Sequence, residues 1–87
     1  MSDYAYELRQ KIDDSEYGYL QQDSIIKLRK TVKRMSFEVL LDEYQDYVTR
    51  GIWSPAPPFK DTFRWIQYGI ELKMELTRRD KKGSIIL

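Results

Sequence analysis

The stretch DTFRWIQYGIELKMELTRRD, residues 61–80, decides the fold. It opens on Asp61, a residue type that caps helix N-termini, and its apolar residues recur at the three- and four-residue spacings of an α-helix. They form two stripes on nearly opposite sides, Phe63, Ile66, Ile70 and Met74 on one and Trp65, Tyr68, Leu72 and Leu76 on the other. A helix with two apolar faces needs a cover on both. The sequence therefore predicts either a central helix wrapped by the rest of the chain or a helix whose second face meets another chain.

A proline-rich segment precedes this helix. Residues 52–60 read IWSPAPPFK, and three prolines within four positions exclude a helix and favour an extended, polyproline-type link. Pro55 to Lys60 also fit the P-x-x-P-x-K pattern of peptides bound by SH3 domains, but prolines between two helices more commonly form a rigid connection. We therefore predict a connecting loop at 52–60.

Two further helices come before the prolines, at 23–35 and 36–50. The apolar stripe of the first is Ile25, Leu28, Val32 and Met35, and that of the second is Phe37, Leu40, Leu41, Tyr44 and Val48. One continuous helix through both would rotate the apolar face by more than about a third of a turn, at about 100° per residue. Ser36 is a good N-cap and Gly51 a good C-terminal stop. The chain is therefore predicted to break at Ser36 into two helices set at an angle.

The two ends of the chain carry weaker patterns. Apolar residues share one face of residues 2–12, which predicts a short helix, and polar turn formers predict a loop over 13–20. Residues 81–87, KKGSIIL, form a tail whose apolar end has a form that strand-adding modules can capture. A tail packed on its own domain is the more common arrangement.

The length and composition of the chain indicate a single soluble globular domain. The 87 residues suffice for one core, and 41% hydrophobic with 33% charged residues is typical of a soluble globular domain. We expect one all-α domain over residues 1–87, a small bundle of about four helices with a proline-rich loop before the longest, C-terminal helix at 61–80.

The net charge of +1 gives no overall attraction to nucleic acid or to an anionic membrane. Since no apolar run spans a membrane and no secretory signal is present, the expected location is cytoplasmic.

The residue types that the chain lacks exclude the commonest kinds of catalytic and metal-binding site. With no His and no Cys, the chain lacks the commonest general base, the usual zinc ligands and the best thiol nucleophile. Its acid pairs, Glu38 with Asp42 and Asp42 with Asp46, lie on the predicted solvent side of a helix, where carboxylates seldom form a site. We therefore expect a non-enzymatic protein that uses no metal, cofactor or small-molecule substrate and acts by binding.

The favoured hypothesis is protein binding. Tyr, Trp and Arg are enriched at the centres of protein interfaces, and this short chain has seven Tyr and two Trp. The predicted contacts are one face of the last helix and a nearby tryptophan, namely Trp53, Trp65, Tyr68, Leu72 and Leu76. The protein would be an adaptor, a subunit or an inhibitor, and its partner another protein or a second copy. Full burial of this face within one chain would contradict the assignment.

The alternative hypothesis is a nucleic-acid-binding regulator. Residues 27–34, KLRKTVKR, carry five cations and no acid. Lys27, Lys30, Lys33 and Arg34 would contact phosphates from the polar side of their helix. The acidic helix that follows counts against this, because its carboxylates would repel a duplex or pair with these cations. A basic helix beside an acidic helix would also permit head-to-tail association of identical chains.

Overall fold

The computed structural model describes residues 3–13 and 22–80. Four α-helices run through them: α1 at Asp3–Asp13, α2 at Gln22–Lys33, α3 at Phe37–Arg50 and α4 at Thr62–Arg79. The predicted all-α bundle is confirmed, and α4 is the longest of these helices. Except for residue 13, which ends α1, the predicted loop at 13–20 lies outside the described residues, as does the tail at 81–87.

The ends of α3 and α4 follow the capping residues that the sequence offers. The Oγ atom of Ser36 accepts a hydrogen bond from the Val39 amide at 3.2 Å, and Oδ1 of Asp61 accepts one from the Arg64 amide at 2.7 Å. Gly51 ends α3 with a φ of 79°, a left-handed conformation that residues with a Cβ atom rarely adopt. The predicted break at Ser36 therefore separates α2 from α3.

The segment between α3 and α4 turns back onto the core. Hydrogen bonds from the Ser54 amide to the Gly51 carbonyl and from the Phe59 amide to the Ala56 carbonyl close two turns. Ala56 and Phe59 are buried, and the ring centroid of Phe59 lies 5.0 Å from that of Tyr68. The prediction of an extended link is therefore wrong, because burying the Phe59 ring against α4 favours a folded-back connection.

Helix α3 lies beside α4 and runs antiparallel to it. Near the C-terminal end of α3, the ring centroid of Tyr47 lies 4.9 Å from that of Trp65, and one turn earlier Glu43 accepts a hydrogen bond from the Tyr68 hydroxyl. The close approach depends on Gly69, since a Cβ atom at that position would lie 2.1 Å from Cζ of Tyr47. Glycine thus sets the spacing of the two helices.

Helix α2 lies on the other side of α4 and runs parallel to it. The Nε atom of Arg29 is 2.8 Å from Oε1 of Glu71, and further along both helices Nη2 of Arg79 donates to the Lys33 carbonyl at 3.0 Å. The order across this layer is therefore α2, α4, α3.

Helix α1 packs behind that layer through a buried arginine. Arg9 is 1% exposed and donates from Nε and Nη2 to the two carboxylate oxygens of Glu43, at 2.9 and 3.0 Å, while also pairing with Asp46. The apolar core contains Ile12, Leu28, Val32, Met35, Leu40, Ala56, Phe59, Trp65, Tyr68, Leu72 and Leu76. Within the part of the chain that is described, none of the helices has the length and apolarity to cross a bilayer.

Candidate interaction surface

Most of the residues predicted to contact a protein partner lie inside the chain. The following side chains are 0% exposed: Trp65, Tyr68, Leu72 and Leu76. The indole Nε1 of Trp65 donates to the Gly51 carbonyl at 2.9 Å, so even its polar atom is satisfied internally. The assignment of this face to a partner is therefore wrong, because the neighbouring helices and the folded-back loop already cover it. Trp53, the remaining residue of the set, is 81% exposed on the loop before α4.

The other apolar stripe of α4 faces solvent. Phe63 is 71% exposed, Ile70 44% and Met74 51%, while Ile66 is half-buried. The two stripes have the same spacing, so periodicity alone does not distinguish them. The one available signal was Gly69, which lies beside the buried stripe and marks the side where another helix approaches.

A second exposed apolar stripe runs along α3. Phe37 is 43% exposed and Val48 59%, with Leu41 and Tyr44 half-buried between them. Leu40, from the same predicted stripe, is fully buried. The apolar surface of α3 is thus wider than its core contact requires.

The stripes of α3 and α4 point to the same side of the molecule. On α3, Glu43 and Asp46 face Arg9 of α1, and the positions opposite them on the helix are Phe37 and Val48. On α4, Tyr68 faces this same cluster, and its opposite side carries the exposed stripe. Both stripes therefore face away from α1. We call this surface of the α2–α4–α3 layer the outer face.

The α2 border of the outer face is basic. A groove of about 300 Å³ between α2 and α4 is lined mainly by apolar surface, with Val32 and Met74 flanked by Lys33 and Arg78. Its acids, Glu71 and Glu75, are ion-paired with neighbouring arginines. The groove thus combines an apolar interior with a cationic rim.

The cations proposed to contact phosphates form a basic ridge that is exposed along its length. Lys27, Lys30, Lys33 and Arg34 are all exposed, and no acid among the described residues forms an ion pair with them. Of the alternatives to nucleic-acid binding, pairing of these cations with the acidic helix is absent from the described part of the chain. The acids of α3 that do form pairs contact other cations, since Asp46 binds Arg9 and Arg50.

The α3 border of the outer face is acidic. Glu38 and Asp42 are exposed there, and no cation in the described ranges forms an ion pair with either. Asp46, the third carboxylate considered for a site, is held by arginines. No group of three potential metal ligands occurs among residues 3–13 and 22–80.

A buried polar cluster was missed at the sequence level. Burial raises the pKa of Glu43, against the opposing hydrogen bonds from Tyr68 and Arg9, and burial together with the Glu43 charge raises the pKa of Tyr68 well above its usual value. Arg9 lies about 60° around α1 from Ile12, at the edge of the apolar face, which was the available signal. Because the cluster is closed to solvent, it anchors α1 to α3 and α4.

Comparisons of the chain with family models, with curated proteins and with solved structures found no match. The surface geometry and its chemistry are therefore the basis for a functional proposal.

Proposed function

We propose that the chain is a non-enzymatic protein-binding module, an adaptor, subunit or inhibitor, that binds its partner through the outer face. The observation that carries the proposal is the grouping of exposed apolar side chains. Of the nine large apolar side chains exposed in the described residues, five lie on this face: Phe37, Val48, Phe63, Ile70 and Met74.

Scattered apolar residues are ordinary on a protein surface, but contiguous patches with a charged border are typical of interaction sites. Helices α3 and α4 each present one such stripe, and the basic α2 border and the acidic α3 border lie on either side. An apolar centre with a polar rim is the usual anatomy of a protein interface. Large side chains such as Phe63 and Met74 supply the binding energy when a partner removes them from water.

Site-specific photocrosslinking in the source cells tests this proposal. A photoreactive residue at position 70, on the outer face, is compared with one at Gln10, which is exposed on α1 behind the layer. We expect adducts of discrete mass from position 70 that are lost in Met74→Lys and retained in the matched control Lys27→Glu. Equal adducts from positions 10 and 70, or none from position 70, would refute the proposal.

A second candidate function is nucleic-acid binding by the basic ridge. It is supported by the exposed cations Lys27, Lys30, Lys33 and Arg34, which have no ion-pair partner in the described part of the chain. Fluorescence anisotropy with a duplex and with a single-stranded oligonucleotide tests it. Binding that weakens steeply with salt and with Lys27→Glu/Arg34→Glu would support it. Affinity that is insensitive to both would exclude it.

A further inference from the structure

We propose that the partner of the outer face is a second copy of this chain, bound face to face about a twofold axis parallel to α4. This inference rests on the proposed function, because it names the occupant of the same face. The inference adds to the proposed function the identity of the partner, the symmetry of the complex and the pairing of the charged borders.

The apolar parts of the face are self-complementary. The stripe of α3 from Phe37 to Val48 and that of α4 from Phe63 to Met74 each extend over twelve residues, about 16 Å for eleven steps of 1.5 Å. In a face-to-face pair, the α3 stripe of one copy lies over the α2–α4 groove of the other. The twofold axis repeats this contact, so the arrangement closes as a dimer.

The charges select the direction of the axis. With the axis parallel to α4, the acidic border of one copy, Glu38 and Asp42, faces the basic border of the other, where Lys33 lines the groove and Lys30 is exposed one turn before it on α2. With an axis across the helices, α3 would lie over α3 and α2 over α2, and like charges would meet on both borders. Opposite-charge borders favour a partner and suppress the wrong orientation.

The face is also large enough. Two helix layers are about 20 Å thick, given helix axes about 10 Å apart and diameters of about 10 Å. The shortest dimension of the molecule is 22 Å, comparable to that thickness, and its other two dimensions are 37 and 28 Å. A molecule of these dimensions has room on one side for the roughly 800 Å² that each partner buries in a standard interface.

The first measurement is the mass of the full chain by light scattering and by sedimentation, from roughly 1 µM to 1 mM, a range that covers weak and standard interfaces. We expect the mass to rise from 10.5 kDa toward twice that value. Ile70→Lys should keep the chain monomeric. A monomer throughout the range, or a dimer that Ile70→Lys leaves intact, would overturn the inference.

A charge exchange tests the pairing of the borders. One variant, Glu38→Lys/Asp42→Lys, has two basic borders, and the other, Lys30→Glu/Lys33→Glu, has two acidic borders. We expect each alone to dimerise roughly tenfold or more weakly, because like charges then meet on both borders, and their equimolar mixture to form heterodimers. Lys27→Glu/Arg34→Glu makes the same charge change further around α2 from the groove that Lys33 lines, and it should weaken dimerisation less than Lys30→Glu/Lys33→Glu does. Two variants that dimerise normally, or a mixture that stays monomeric, would overturn the border pairing.

The outcomes separate this inference from the function on which it rests. Crosslinks from position 70 to a different protein, with a monomeric chain, would overturn the second-copy inference and leave the outer face as a binding site. A monomeric chain without crosslinks from position 70 would overturn both. All the substituted side chains are exposed, so unchanged helicity and Tm of each variant confirm that a lost dimer is not a lost fold.

Discussion

Replacing Gly69 by Ala is expected to destabilise the protein, although helix propensity alone predicts the opposite. In a solvent-exposed helix interior, Ala is more favourable than Gly by about 1 kcal/mol. In this chain an added Cβ atom would lie 2.1 Å from Cζ of Tyr47 and 2.4 Å from each of its Cε atoms. Contacts this short do not occur in folded proteins, so the Tyr47 ring must move.

The movement costs packing energy. Tyr47 lies against Trp65 with ring centroids 4.9 Å apart and also stacks on Tyr44. Overpacking costs about 1 to 3 kcal/mol, and a displaced aromatic pair about 0.5 to 1.5 kcal/mol. After the gain of about 1 kcal/mol in helix propensity, we expect Gly69→Ala to lower the free energy of unfolding by about 2 kcal/mol. For a domain of this size, that lowers Tm by roughly 8 to 16 °C.

Urea unfolding of four chains measures the effect: the unmodified chain, Gly69→Ala, Tyr47→Ala and the double variant. With the ring removed, the Ala side chain has room, so Gly69→Ala should stabilise the Tyr47→Ala background by about 1 kcal/mol. The expected coupling between the two sites is therefore about 3 kcal/mol. A Gly69→Ala chain as stable as the unmodified one, or more so, would refute the packing of α3 on α4 described above.

Three further predictions concern the core and its charges. Arg9→Met leaves its buried carboxylate partner without a cation and should cost about 3 kcal/mol in urea unfolding, whereas a cost below about 0.5 kcal/mol would mean that α1 is not anchored there. The pKa of Glu75 is lowered from 4.5 to about 2, chiefly by a hydrogen bond from Arg78. This carboxylate therefore stabilises the fold above pH 4.5, and its contribution is lost as the pH falls from 4.5 toward 2. Glu75→Gln should remove that part of the pH dependence of the free energy of unfolding, and an unchanged dependence would contradict the prediction. Leu72→Ala should cost about 2 to 5 kcal/mol and Ile70→Ala less than about 1 kcal/mol, while equal costs would contradict the assignment of the buried and exposed stripes of α4.

Local signals in the sequence determined the helices. Ser36 and Asp61 cap helices because their side chains accept amide hydrogen bonds within one turn, and Gly51 ends α3 because it tolerates a positive φ. The shift of the apolar face between 23–35 and 36–50 likewise fixes the break, since one helix cannot keep both stripes on one side. These interactions join residues a few positions apart, so the local sequence alone is enough to predict them.

The tertiary structure alone decided which residues form the candidate surface. The two stripes of α4 have the same period, and only the positions of α2 and α3 bury Trp65 and leave Phe63 in solvent. The pairing of Arg9 with Glu43, 34 residues apart, and the return of Phe59 to the core also depend on distant segments. Burial is a property of the assembled helices, because the free energy of removing a side chain from water depends on what covers that side chain. The periodicity of apolar residues along one helix does not say which neighbouring helices will cover it.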